Sequence, residues 1–452
     1  MNRWGLRAAS LFLSSFMAAN SFALTGSASG NESLSARLEG QAGVGVAGQS
    51  EDPALVYLNP AALTKIPDTQ ASMGMTLFNS HATYEPDSGS SSKLRSITGA
   101  APNLAMTHRF LDGKLGIGLA AEAPYGLESH WDGSSALGFL ATNSKLHMVD
   151  ITPAASYQIT PMVSAGAGAD YFNAFDASLE KNINSFDANG SLFLSDPTDF
   201  SQPPIPGSPN AVSKLSGTGE AWGFHTGVLV EPNSHHSFGL VYHSKVNMHI
   251  NGTASLSNLS GNMAALFGGS SYETAAYTNF VVPQNVQMGY AYKPTDQWIL
   301  EADAAWYDWY SNRDQNVRFA ESNPARLAAL SVGNPQPVLR RDAWSLGTGA
   351  NYKVSEKLQL RSGFIYVPYA TPESTFSPSI VDLSRYGLAL GTGIGLTPSV
   401  VLDLAYTAVF YHNRHISNDV GTNTTGDPAY NPDGTFKAFA NIFAANITYR
   451  FR

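Results

Sequence analysis

The chain contains no cysteine, which excludes disulfides, thiolate nucleophiles and thiolate metal ligands. Charge is scarce as well: 13% of the 452 residues are charged, about half the share usual in soluble proteins. The net charge is −9 and no basic stripe is present, so phosphates would go unneutralised and a nucleic-acid partner is excluded. Beyond the N-terminus no segment offers about 18 uncharged apolar residues, which argues against spanning helices. No serine–histidine–acid arrangement is legible either. The histidines are scattered, and His235 and His236 sit in a short turn. The glycines between Gly391 and Gly395 lie within an alternating strand, which makes them spacers and not a phosphate loop. The reading is therefore of a protein that is not an enzyme and uses no cofactor or metal.

Glycine (41 residues) and aromatics (Tyr 20, Phe 23, Trp 7) are what the chain has in quantity. With so little charge, that composition fits a β-protein with a large surface turned away from water. The N-terminus carries Arg3 and Arg7, an apolar stretch from Ala8 to Ala19, and small residues at Ser21 and Ala23. This pattern reads as a signal peptide over residues 1–23, hence an exported chain.

From about residue 70 the sequence alternates with a period of two. Tyr386, Leu388, Leu390, Ile394 and Leu396 share one face, and Arg385, Gly387, Ala389, Gly391, Gly393 and Gly395 the other. Leu402, Leu404, Tyr406, Ala408 and Phe410 oppose Asp403, Ala405 and Thr407 in the same way. A soluble sandwich turns its bulky face inward, whereas a membrane barrel turns it to lipid and keeps a small or polar lumen. Fourteen such segments are legible, at 70–82, 95–110, 114–123, 145–159, 161–178, 211–230, 235–250, 277–292, 297–319, 340–353, 356–367, 383–396, 400–411 and 435–451. Short turns alternate with long connections such as 179–210, 251–276 and 412–434. The predicted fold class is all-β: a transmembrane antiparallel β-barrel of about 14 strands in a Gram-negative outer membrane, over residues 67–452. Residues 24–66 are apolar, rich in glycine and alanine, and broken by Pro53 and Pro60. They suit a hatch, or plug, inserted in a barrel too wide to be filled by its own side chains.

At this point the residues resemble the FadL family of outer-membrane transporters for long-chain fatty acids and hydrocarbons, with its TodX branch. The glycine- and alanine-rich run into Asn59, Pro60 and Ala61 resembles the end of that family's hatch. The stretch "KLGIGLAAEAPYGLESHWDG" resembles its third strand, kinked to open a gap in the wall. "VDITPAASYQITPMVSAGAGADY", "VPQNVQMGYAYKPTDQWILEADAAWYDW" and "RRDAWSLGTGANYKVSEKLQLRSGFIY" follow in family order. The resemblance implies passive uptake of a hydrophobic compound, captured by the extracellular loops, held in the lumen, and released sideways through the wall.

Each step has candidate residues. Leu256, Leu259, Met263, Leu266 and Phe267 fall at helical spacing in a loop and read as a capture surface, or as loop packing; Phe186, Leu192, Phe193, Leu194 and Phe200 add apolar bulk in the preceding loop. Pro124 cannot donate to a ladder, so with Gly126 it marks the gap or an ordinary strand end, and Asn59 is expected near it as a gating residue together with Pro60 and Ala61. Arg341, Arg361 and Arg385 fall on the luminal phase and are carboxylate candidates, or structural partners of the luminal acids Glu301, Asp303 and Asp403 or of the hatch acids Glu51 and Asp52. The expected ligand is a long-chain fatty acid, with aromatic or aliphatic hydrocarbons as the alternative and a general diffusion porin as the third reading. The barrel assembly machinery and outer-membrane lipid are expected partners, and the working state is expected to be a monomer.

Overall fold

A computed structural model describes residues 34–48, 51–87, 89–183, 211–331, 334–418 and 433–451. The expected signal peptide and the loop phenylalanines and leucines between 186 and 200 lie outside these residues. Fourteen staves run in order: β1 (Thr69–Pro86), β2 (Ile97–Phe110), β3 (Leu115–Glu122, continued by Gly126–His130), β4 (Asn143–Thr160) and β5 (Val163–Ile183). Then come β6 (Ala211–Asn233), β7 (His236–His243, continued by Val246–Ser257), β8 (Tyr272–Val282, continued by Asn285–Thr295) and β9 (Trp298–Tyr307). The circuit ends with β10 (Ala343–Ser355), β11 (Leu358–Val367), β12 (Arg385–Thr397), β13 (Val400–Tyr411) and β14 (Gly434–Phe451). Each stave pairs antiparallel with its chain neighbour, and β14 closes on β1 from Thr69–Phe451 to Pro86–Gly434. Closure pairs β1 with β14 along its whole length, so the first and last staves leave no free edge between them in lipid.

The alternation read from sequence sets the two faces. Met73, Leu104, Leu119, Trp222, Leu240, Leu388, Leu390 and Phe443 stand exposed on the outside, while Ser72, Thr76, Ala120, Thr152 and Ala405 are buried inside. Outer aromatics stack across staves near both ends: Tyr386 on Phe410 at 5.3 Å toward the long loops, and Trp298 on Tyr352 at 4.5 Å toward the short turns. Such paired girdles mark the two lipid–water interfaces.

Two sequence boundaries are corrected. Residues 308–319 do not continue β9: Trp309–Ser311 form a 3-10 turn, and Val317–Phe319 return to pair with β8 at Ala276–Thr278. Residues 340–342 precede β10, which begins at Ala343. Residues 308–316 and 340–342 belong to none of the fourteen staves, so there the period of two no longer sets which way a side chain faces.

Residues 34–48 and 51–66 lie inside the barrel. They contain two single-turn helices, α1 (Ala36–Glu39) and α2 (Leu55–Leu58), and the 3-10 helix Pro60–Lys65. Leu38, Val46, Leu55, Val56, Leu58, Leu63 and Ile66 form one buried cluster with the wall residues Ala105, Ala120, Ala154, Leu229, Val241 and Ala291.

Candidate functional site

The barrel wall is broken at β3. Glu122 pairs with Asp150 and Gly126 with His147. Four steps on β3 therefore face three on β4, and the extra residue kinks the stave. Pro124 sits in this break, and its missing N–H suits it to a place without a ladder. On the other side, β2 pairs with β3 only from Leu104–Ala121 to Phe110–Leu115. Among the described residues, Ile97–Asn103 pair with β1 alone. The chains meet again where the Arg95 N–H donates to the His130 carbonyl at 3.0 Å. The result is a gap in strand pairing between β2 and β3, a window in the ladder where Phe78, Ala101 and Ala123 pack together. Glu122 lies beside it, buried, with neither carboxylate oxygen hydrogen-bonded.

A cavity of about 160 Å³, open to solvent, occupies the long-loop half of the lumen. Leu127, Leu146, Leu179, Leu215, Ile250, Phe280 and Ile380 give it apolar walls; Lys145 and Arg340 bring cations to it, and Asp314 an acid. Leu127 belongs to the second half of β3, so the cavity reaches the broken stave. A cluster of Tyr125, Leu127, Leu146, Met148, Phe172 and Met248 continues the apolar surface between the two. Arg340 is 5% exposed, its guanidinium lies 5.1 Å over the Trp309 ring, and its Nε has no hydrogen-bond partner. Burial lowers the Arg340 pKa to about 10 against the opposing pull of Asp382, so it remains a cation at neutral pH.

The expected site residues separate in space. Arg361 and Arg385 are buried, as their phase predicts, whereas Arg341 is exposed before β10. None of the three lines the cavity. Arg361 instead binds Asp403 at 2.7 Å, and Asp403 also meets Arg37 of the inner segment at 3.3 Å. Asn59 directs its amide inward to the segment itself, donating to the Val46 carbonyl at 2.8 Å and accepting from the Ala61 N–H at 3.1 Å. Pro60 and Ala61 begin the 3-10 helix that this bond caps, and the Ala61 carbonyl accepts from Ser164 of β5 at 2.8 Å. In the loop between β7 and β8, the helix α3 (Gly261–Phe267) buries Leu259, Met263 and Phe267 in a cluster with Leu256. Leu266, Ala329 and Leu330 pack against that cluster, which joins α3 to the loop helix α4 (Pro324–Leu330).

Several inner-segment fastenings were not foreseen. The Asp303 carboxylate accepts from the Gly45 and Val46 N–H groups at 2.8 and 3.0 Å. Arg450 meets Glu51 at 3.0 Å. Burial opposes the Glu51 carboxylate, yet Arg37 and Arg450 prevail and hold its pKa below the usual value.

The family model described as "Outer membrane protein transport protein (OMPP1/FadL/TodX)" matches residues 10–451. Outer membrane protein P1 of Haemophilus influenzae is 24% identical over 446 residues, covering 91% of this chain and 92% of that one. The long-chain fatty acid transport protein of Escherichia coli O6:H1 is 23% identical over 433 residues, with the same coverage, 91% and 92%. Among solved structures, a Pseudomonas aeruginosa FadL homologue superposes with a TM-score of 0.78 at 20% identity, covering 94% of this chain and 100% of that one. The Ralstonia pickettii toluene transporter TbuX gives 0.68 at 19% identity, with 93% and 99% covered. These two likenesses are of fold. With the match running almost end to end, this chain belongs to the OMPP1/FadL/TodX family, outer-membrane β-barrel channels for hydrophobic compounds.

Proposed function

We propose that the protein takes up hydrophobic compounds passively, long-chain fatty acids foremost, and releases them sideways into the membrane through the window at β3. The observation that carries this reading is the continuity of an apolar cavity, a buried cation and the broken stave: Arg340 lines the cavity, and Leu127 joins it to β3. An aliphatic tail gains by leaving water for such a lining, and a carboxylate matches an arginine fork whose Nε is unpartnered. Residues 34–66 act as the hatch that blocks the straight route and directs the ligand to the wall. We assign the carboxylate to Arg340, assisted by Lys145, and give Arg361 and Arg385 a fastening role. The apolar face of α3 is taken up by the adjoining loop, so first contact falls to the cavity mouth.

Uptake of aromatic or aliphatic hydrocarbons is the second reading, favoured by the apolar majority of the lining and by the likeness to a toluene transporter. Equilibrium binding of oleate and of toluene to detergent-purified protein separates the two. Arg340→Met should weaken oleate about tenfold or more, the scale of one charged hydrogen bond, and leave toluene unchanged. Arg341→Met, at an exposed position, should alter neither. Saturable toluene binding without oleate binding would transfer the protein to hydrocarbons, and binding of neither would defeat the substrate class.

A further inference from the structure

Asp170, His225 and His243 stand on β5, β6 and β7, and their ligating atoms all lie within 4.8 Å of one another. Each residue is at most 4% exposed. With both rings neutral, the acceptors around them outnumber the protons. His225 Nε2 lies 2.9 Å from the Val56 carbonyl, an acceptor, so that nitrogen carries a proton. His225 Nδ1 lies 2.7 Å from Asp170 Oδ1, so a neutral ring carrying its proton on Nε2 would set two acceptors against each other there. The Thr152 hydroxyl is 2.6 Å from Asp150 Oδ2 and 3.1 Å from Asp170 Oδ1, with one proton to give. His243 adds a second unprovided nitrogen: its Nε2 is buried without a hydrogen-bond partner. Its ring stacks on His225 at 5.0 Å and meets the tilted ring of Tyr57 of the inner segment at 4.7 Å.

We propose that Asp170, His225 and His243 bind one divalent transition-metal cation, of the zinc and cobalt type. Two neutral imidazoles and a carboxylate are the donor set such ions prefer. The arrangement around His225 is the one found behind metal-ligating histidines, with the far nitrogen donating to a backbone carbonyl and thereby fixing the near one as ligand. Here that carbonyl belongs to Val56, so the cation couples three staves to the inner segment. A second proton on His225 would also satisfy Asp170, but it would leave His243 Nε2 without a partner.

The test uses untagged full-length protein in detergent, stripped with EDTA and titrated with Co²⁺. The expected result is one equivalent bound, with visible bands of a low-symmetry site that zinc bleaches by displacement. His243→Gln and Asp170→Asn should each lower the affinity at least tenfold, while heat-modifiable gel mobility reports that the barrel remains folded. Should a variant fail to fold, the wild type decides alone, since zinc must then raise its unfolding temperature in proportion to site occupancy. Absence of a Co²⁺ spectrum in folded wild type would overturn the proposal and leave a proton between His225 and Asp170. Equal binding by wild type and folded variants would overturn it as well.

Discussion

Asp403 holds two guanidinium groups at once, Arg361 of β11 and Arg37 of the inner segment, and all three side chains are at most 5% exposed. Removing the acid takes the nearest anion from two buried cations, leaving Arg37 with Glu51 at 3.9 Å and Arg361 with the Gln359 amide oxygen at 2.8 Å. Breaking a buried pair in this way costs about 3–5 kcal/mol. Asp403→Asn should therefore lower the unfolding midpoint in detergent by that equivalent, whereas Arg341→Gln, at an exposed position, should stay within about 0.5 kcal/mol. Parity foresaw that Arg361 and Arg385 face inward, and Asp403 was among the acids expected to meet them. It did not find Arg340. Parity extrapolated from β10 favoured Arg341, but the stave begins at Ala343 and residues 340–342 obey no two-residue period. Trp309, which orients Arg340, comes from the other side of a loop that the sequence read as strand. The histidine pair was closer to view: His225 and His243 lie equally far from Ser234 in the turn of one hairpin, which is the register they adopt. Asp170 joins them through a ladder across a long connection, and no local signal announces that.

At the scale of elements, the strands were legible because lipid outside and small residues inside impose opposite chemistries on alternate positions. The break was flagged by Pro124, which has no N–H to give a ladder, although Pro102 and Pro153 sit in paired staves all the same. What the sequence could not give is the other rim, the unpaired run Ile97–Asn103 of β2, because an unpaired edge looks like any strand. If the window is the exit, fastening its rims should stop release without touching capture. Ala101 and Ala123 are small, buried and in one contact cluster, and the chain has no other cysteine. Ala101→Cys with Ala123→Cys thus admits a single intramolecular disulfide. Oxidised, this variant should bind oleate as the wild type does but lose uptake in cells, and a membrane-permeant reductant should restore it. Undiminished uptake by the fully oxidised form would remove β3 from the route.

Over the whole molecule, wall and inner segment are matched backbone to backbone. A Cβ on Gly363 would come within 2.2 Å of the Gln41 carbonyl carbon, one on Gly166 within 2.5 Å of Pro60, and one on Gly116 within 2.6 Å of Leu63. These contacts fall on β11, β5 and β3, so the glycines serve close approach around much of the circumference. Composition suggested a compact inner segment and luminal spacers separately; their one-to-one fit depends on both being folded. Overfilling such a contact costs about 1–3 kcal/mol, and the barrel's own ladders, which run stave to stave, do not share in it. The inner segment is the part that can yield. Gly166→Val combined with Gly363→Val should thus leave gel mobility of the folded barrel intact while raising its conductance in planar bilayers, as ions pass where residues 34–66 had been seated. If the double variant stays silent and only unfolds earlier, the segment accommodates the added methyls in place, and the lumen is closed by more than its fit to these glycines.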